Sequence, residues 1–276
     1  MATKTRDQFE SLGDFMNSNV GWENRQRSGN SSHRAGRADW AGTGSYEEAI
    51  EIAKRGWKQG AGRVAELRAQ IESFVAGLVA AKAAAVRFDV EGEWCDIGRL
   101  AMNDPECVGS WDDAGQSQTR VVRIVANLCV SASVSKEVMF ARGAAVLAAT
   151  DVLESLGVRV ELIVAMGMSR YYGDNKNGHE AHIVVKQANE HVETDRLAYV
   201  LCHASFFRRH MFAAMELAGY DPCDCYPAAV TAEDAIILPE VLSGKCPSME
   251  DTKRQVIELC QQAGIVFDDE ELAAAL

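Results

Sequence analysis

No apolar stretch in this sequence approaches the ~20 residues that a bilayer-spanning helix needs, so a membrane-spanning protein is not expected. The opening residues, Met1-Ala-Thr-Lys4-Thr-Arg6, lead into polar sequence. They lack the apolar segment of a secretory signal, and export is not expected either. A basic excess is missing too: 28 Lys and Arg stand against 40 Asp and Glu, a net charge of −12. Such a chain does not coat duplex DNA by bulk charge, although a local basic groove stays open. There is no Walker lysine loop, no Gly-x-Ser-x-Gly elbow and no dinucleotide fingerprint. Those motifs would point to phosphate cradling, acyl transfer or hydride transfer. Cys223-x-Cys225 has no second Cys or His pair at zinc spacing, and His179, His182 and His191 are dispersed. The expectation is a non-enzymatic chain with no cofactor and no metal.

What is present supports a filled core. Hydrophobic residues make up 47% and charged residues 25% of 276 positions, enough for one large domain with appendages or two small ones. Several of the eight cysteines sit in apolar runs, as Cys129 does between Val125 and Val130. Buried free thiols behave as small hydrophobes, and a reducing cytoplasm is the simplest setting for them.

Periodicity divides the chain into 1–44, a short helix with a flexible basic arm; 45–267, an α/β core; and 268–276, an acidic tail. Phe9, Leu12, Phe15 and Met16 predict a helix over 5–17, and residues 18–44 then lose periodicity. Ser45-Tyr-Glu-Glu48 is a capping box that opens a helix ending at Gly56, and a longer helix is predicted over 63–82. Val86–Val90 alternates as a strand, with Glu93–Ile97 returning as a hairpin, and residues 102–118 show no period and are expected as loop. Arg120–Val130 is β-rich, 136–156 is an apolar helix closed by Gly157, and Val158–Ala165 is a second strand. A strand, crossover helix and strand imply parallel pairing. A strand over Ala181–Lys186, a helix over Asp195–Leu217, a short strand over Ala235–Leu238 and a last helix over Ser248–Ala263 follow. The fold class is therefore α/β: a mostly parallel central sheet with flanking helices and an N-terminal helical arm region.

Five segments are candidate sites. Ser131, Ser133 and Ser135 form a hydroxyl loop between a buried strand and a helix, where open α/β sheets bind ligands and helix N–H groups favour anions. The spacing resembles the Asp-x-Ser-x-Ser metal loop of von Willebrand A-type domains, but Cys129 replaces the aspartate. The plainer reading is a Ser-rich helix cap. Arg170, Tyr171, Tyr172 and Lys176 lie on a loop between two strands, suited either to stacking on unpaired bases or to a hairpin tip. Between Trp22 and Trp40 the arm carries Arg25, Arg27, His33, Arg34 and Arg37. Arginines beside aromatics on such a segment suit a single strand, while a solvated linker or a contact on a neighbouring subunit is the alternative. Phe206-Phe-Arg208-Arg209-His210 reads either as a basic surface or, more simply, as the solvated stripe of an amphipathic helix. Asp268–Glu271 with Leu272 and Leu276 reads as an acidic recruiting tail or a short terminal helix.

Trp40-x-Gly42-x-x-Ser45-x-x-Glu48-Ala49, Gly56-Trp57-x-x-Gly60 and Arg142-Gly-Ala-Ala-Val-Leu-Ala148 together resemble a family of phage proteins. They are the single-stranded-DNA-binding RNA polymerase cofactors of phages that package a virion polymerase. The resemblance spans most of the chain after Trp40 and implies sequence-tolerant binding of single-stranded DNA. It also implies recruitment of the phage RNA polymerase to opened promoters, in the cytoplasm of a host cell. Physical reading assigns the contacts: Arg25, Arg27, Arg34, Arg37, Arg170 and Lys176 to phosphates, and Trp22, Trp40, Tyr171 and Tyr172 to bases. A homo-oligomer is expected. The alternative is a degenerate A-type scaffold that binds protein through Ser131–Ser135.

Overall fold

The computed structural model describes residues 4–19, 38–66, 86–91, 94–95, 97–111, 120–171, 178–220, 225–242, 244 and 246–267. Its centre is the predicted strand–helix–strand unit: β5 (Val121–Asn127), a helix over Lys136–Ser155 and β6 (Arg159–Ser169). β5 and β6 pair in parallel, with Ile124 opposite Leu162 and Ala126 opposite Val164. β7 (Gly178–Lys186) runs antiparallel to β6. β9 (Ala235–Leu238) is parallel to β5 on its other side. The outer position beside β7 is taken by β1 (Lys4–Phe9), and the short β8 (Tyr226–Pro227) pairs with the end of β6. The sheet order is β1-β7-β6-β5-β9, mostly parallel, as the α/β reading required.

Side chains alternate across this sheet with the period of two that a pleat imposes. Val122, Ile124 and Ala126 of β5, Val160, Leu162, Val164 and Met166 of β6, and Ala181, Ile183 and Val185 of β7 enter the main core. Val125, Ile163, Ala165 and Val184 face the opposite side, where Val230, Ala232, Ala235 and Ile237 meet them. Among the described residues the helices are α1 (Leu12–Ser18), α2 (Ala38–Ala41), α3 (Tyr46–Arg55), α4 (Ile97–Ala101), α5 (Lys136–Ser155), α6 (Thr194–Cys202), α7 (Phe212–Leu217) and α8 (Met249–Gln262), and residues 58–66 are helical too. α1, α3, α5, α6, α7 and α8 pack side chains into the core on the first face, whereas α4 buries none. The serine caps fall where the sequence placed them, but Glu48 accepts from Gly44 N–H at 2.6 Å rather than from Ser45, so the predicted Ser45–Glu48 capping box is not closed. Ser45 accepts from Glu48 N at 3.1 Å, Ser135 caps α5, and Ser248 with Asp251 forms a full capping box on α8. Gly56, Gly157 and Gly264 follow helices at positive φ, which only glycine adopts without strain.

Five expectations are corrected. Residues 4–9 form an edge strand, not the start of a helix, and α1 begins only at Leu12 behind its Ser11 N-cap. Apolar spacing favoured a helix, but Lys4 and Arg6 project to one side and both reach the buried Glu180 of β7, so ion pairing decides. β3 (Trp94–Cys95) does not close a hairpin on β2 (Val86–Asp89). β4 (Val108–Trp111), inside the predicted loop, lies between them in a three-stranded antiparallel sheet. That strand is too short to carry a period and is set by its partners. The single helix predicted over 195–217 is instead broken at His203, whose backbone is extended, and resumes as a π-helix over Phe206–Met211. All six residues of that wide turn are buried, so Arg208 and Arg209 are not a solvated stripe. Among the described residues no helix is long and apolar enough to cross a membrane.

Candidate functional site at the carboxyl end of the sheet

β5 ends at Asn127, and the chain leaves it through Leu128, Cys129 and Val130 into the serine loop. Ser131 N–H donates to Val241 O at 2.8 Å, Ser131 and Ser133 hydroxyls are 3.1 Å apart, and Ser135 accepts from Val138 N–H. Ser135 is thus used as the helix cap. Cys129 stands where an A-type domain has its acidic ligand. Its thiol is buried, donates to Gly167 O at 3.0 Å, and is pushed well up by burial. A neutral thiol aimed at a carbonyl does not replace a carboxylate ligand. Among the described residues no three His, Cys, Asp or Glu side chains gather as a metal site.

A cleft of about 330 Å³ opens beside this loop. Its walls are Ser131 and Ala132 from the loop, Met168 from β6, Tyr226 from β8, Phe212 from α7, and Trp40. Trp40 is locked in place: its indole N–H donates to Ala132 O at 2.9 Å, and Arg208 donates to its carbonyl at 2.6 Å. The Arg208 guanidinium also sits 4.3 Å from the ring centroid, a cation–π contact. Burial lowers the Arg208 pKa to about 10, and carbonyl oxygens and the indole face compensate for that lost hydration. The π-helix explains the burial, since its wide turn carries Arg208 toward Trp40 and Arg209 toward Thr43 O, 2.8 Å away.

The same end of the sheet carries the Arg170 loop. Ser169, the last residue of β6, pairs with Tyr226, so Arg170 and Tyr171 leave the sheet next to the cleft. Arg170 lies 5.3 Å from the Tyr220 ring centroid, and Tyr220 stacks on His179 at 5.6 Å. Tyr171 is 68% and Tyr226 46% exposed, so both rings keep a face in water. Trp40, Ser131, Arg170 and Tyr171, taken separately from the sequence, are thus brought together. Trp22, Arg25, Arg27, Arg34, Arg37, Tyr172, Lys176 and the acidic tail lie outside the described residues. The arm nevertheless joins the chain at Ala38, two residues before Trp40.

A family described as a domain of unknown function, DUF7192, matches residues 2–265. The chain belongs to this family. No curated protein and no solved structure is matched. The DUF7192 match spans both the cleft and the sheet edge where β1 sits.

At that edge, sequence reasoning missed a buried charge cluster. Glu180 accepts from Arg6 at 3.0 Å and from Thr231 N–H at 2.9 Å, lies 3.1 Å from His182 Nε2, and pairs with Lys4. Burial pushes its carboxyl up, but bonds from His182 and Lys4 and the charges of Lys4 and Arg6 outweigh that and hold it at about 2. The cluster satisfies itself, which marks it as an anchor for β1. Tyr226 and Phe212 were missed as well, because isolated aromatics carry no period, whereas Phe207 lay in the predicted Phe206–His210 segment and lines the cleft rather than a solvated stripe.

A second buried network lies under α3. Ser205 N–H donates to His203 Nδ1 at 3.1 Å, so that nitrogen carries a lone pair and the proton is on Nε2. The Ser205 hydroxyl, 2.7 Å from Nδ1, donates to it as well. Tyr199 donates to Ala49 O at 2.9 Å, and His210 Nε2 lies 2.9 Å from the Tyr199 oxygen as its donor. Burial lowers both histidines to about 4. Ser205 is fully buried, so this is a neutral internal brace and not an exposed nucleophile.

Proposed function

We propose that the chain is a non-enzymatic single-stranded-DNA-binding protein that serves as a cofactor for a phage RNA polymerase. One observation carries the DNA-binding half. Three separate chain segments bring Trp40, Tyr226, Tyr171 and Arg170 to one rim at the carboxyl end of β6. Exposed rings stack on unpaired bases whatever their sequence, and cations beside them meet the backbone. Duplex DNA hides the base faces that such a rim uses. In this reading the arginines that precede Trp40 in the sequence, Arg25, Arg27, Arg34 and Arg37, supply further phosphate contacts. Polymerase recruitment rests on the resemblance in the Trp40–Ala49, Gly56–Gly60 and Arg142–Ala148 motifs. A homo-oligomer and a host-cell cytoplasmic setting belong to the same reading.

Anisotropy titrations with a labelled single strand and its duplex, at two salt concentrations, test it. Tighter single-strand binding that weakens with salt is expected, because phosphate contacts release counterions. Tyr171→Ala should weaken binding up to about a hundredfold while leaving the melting curve in place. Equal or tighter binding of duplex would defeat the reading.

A further inference from the structure

We infer that the cleft between Trp40 and Tyr226 is a receptor for one unpaired nucleobase, the anchoring subsite of the rim. This rests on the single-strand reading above but makes a separate claim. The cleft's volume, about 330 Å³, is at the small end of the ~300–1,000 Å³ typical of ligand sites. One heterocycle with its sugar fits such a space. The chemistry of the walls narrows the class further. Trp40, Phe207, Phe212 and Tyr226 are aromatic, and among the described lining residues none is charged. A phosphate, carboxylate or ammonium group would lose its hydration there without a partner. A neutral, flat ring loses little and gains stacking.

Ser131 gives the wall a hydroxyl side chain able to bond a base edge. The Ser131 hydroxyl lines the cleft, and Ser133 lies 3.1 Å from it. Arg170 is exposed, flanks Ser169, the pairing partner of Tyr226, and lies over the Tyr220 ring, so this cation stands outside the cleft and not in its lining. The wall is also prepared in advance. Trp40 is fixed through its indole N–H, its carbonyl and its ring face by Ala132 and Arg208. A side chain already held in place loses little entropy when a ring stacks on it. The base reaches the cleft either as part of a strand or as a free nucleoside.

The test uses the full chain with tetrathymidylate, four versions of it each lacking one base, a 20-nucleotide thymidylate strand, and free thymidine. A single position whose base removal costs about tenfold or more beyond any other position is expected. Ala132→Phe, at an exposed lining position, should abolish that position dependence and weaken tetrathymidylate by a similar factor. Even losses at all four positions would overturn the cleft and leave the rim reading standing. So would unchanged tetrathymidylate binding by Ala132→Phe, the result expected where the chain's own residues occupy the cleft. No binding of the 20-nucleotide strand would end the single-strand reading. If free thymidine then still bound in an Ala132-dependent way, the cleft would stand with a nucleoside as its ligand. Competition by thymidine alongside strand binding shows that the base alone suffices, and its failure with a one-position loss assigns the strand as the source.

Discussion

Lowering the pH from 8 to 5 should destabilise the fold by about 4 kcal/mol through two histidines, His203 and His210, whose pKa values fall from 6.5 to about 4 on folding. Burial is the chief cause at both. At His203, Glu48 opposes and Lys136 assists; at His210, the Ala49 carbonyl opposes and His203 assists. Between pH 6.5 and 4 the unfolded chain holds protons that the folded one refuses, so stability falls as pH falls. At pH 5, 1.5 units below the ordinary value of 6.5, each histidine contributes about 2 kcal/mol at ~1.36 kcal/mol per unit. His203 keeps some contact with water, so its share is the smaller. The geometry agrees, because protonating His203 Nδ1 removes the acceptor for both the Ser205 N–H and its hydroxyl. Glu180 is silent in this window. Its folded value is about 2 against 4.5, so its contribution is complete above pH 4.5 and is lost only as pH falls through 2. His179, also lowered by burial, adds in the same direction as the pair. Urea unfolding at pH 8, 6.5 and 5 measures the effect. With a slope of about 3 kcal/mol/M, the midpoint should drop by about 1 M. His210→Gln keeps an amide donor near Tyr199 and should remove about half of the pH dependence. Equal midpoints at pH 8 and 5, or an unchanged dependence in His210→Gln, would refute the reasoning.

Gly143→Ala should destabilise by about 1–3 kcal/mol or more, since its methyl would run into the Leu201 carbonyl where α5 crosses α6. A thermal melt several degrees below the parent checks it, and an unchanged melt argues against so close a crossing. Glu180→Gln should cost about 2–3 kcal/mol, less than the ~3–5 of a fully buried pair, because Lys4 and Arg6 keep some access to water. Hydrogen exchange should then quicken first over residues 4–9, and uniform quickening would deny Glu180 its role as the anchor of β1. Iodoacetamide on the native protein should label Cys95 and Cys246, which are exposed, ahead of Cys129 and Cys202, whose buried thiols are pushed well up. Peptide mass spectrometry reads the order, and early labelling of Cys129 would contradict the packed contact with Gly167.

The parts of the fold legible in the sequence are those set by local chemistry. β5, α5 and β6 were readable because apolar periods of 2 and 3.6 change over at Ser135 and Gly157, both of which do what their chemistry predicts. Strand β1 was not readable, because nothing in Lys4–Phe9 announces an ion pair with Glu180 far along the chain. The π-helix was hidden for a related reason: Phe206–Met211 fits an amphipathic helix until the Trp40 and Thr43 carbonyls claim its arginines. Of the candidate site, Trp40, Ser131, Arg170 and Tyr171 could be picked out by residue type. Trp40 and Ser131 meet at the cleft through the Trp40 bond to Ala132 O, and Arg170 and Tyr171 come beside it only because Ser169 pairs with Tyr226.

The separation between β1 and β7 bears on how the chain is made. Arg6 and its partner Glu180 are 174 residues apart. At ~5–20 residues per second, a ribosome delivers the partner strand roughly 10–35 s after the first strand emerges. Through that interval the first strand has nothing to pair with. Its composition suits the delay: Thr5, Arg6, Asp7 and Gln8 remain exposed even in the finished sheet. A polar, charged segment can wait in water without recruiting another nascent chain, as an apolar edge strand would. β1 therefore joins the sheet only after β7 is made, well behind its own synthesis.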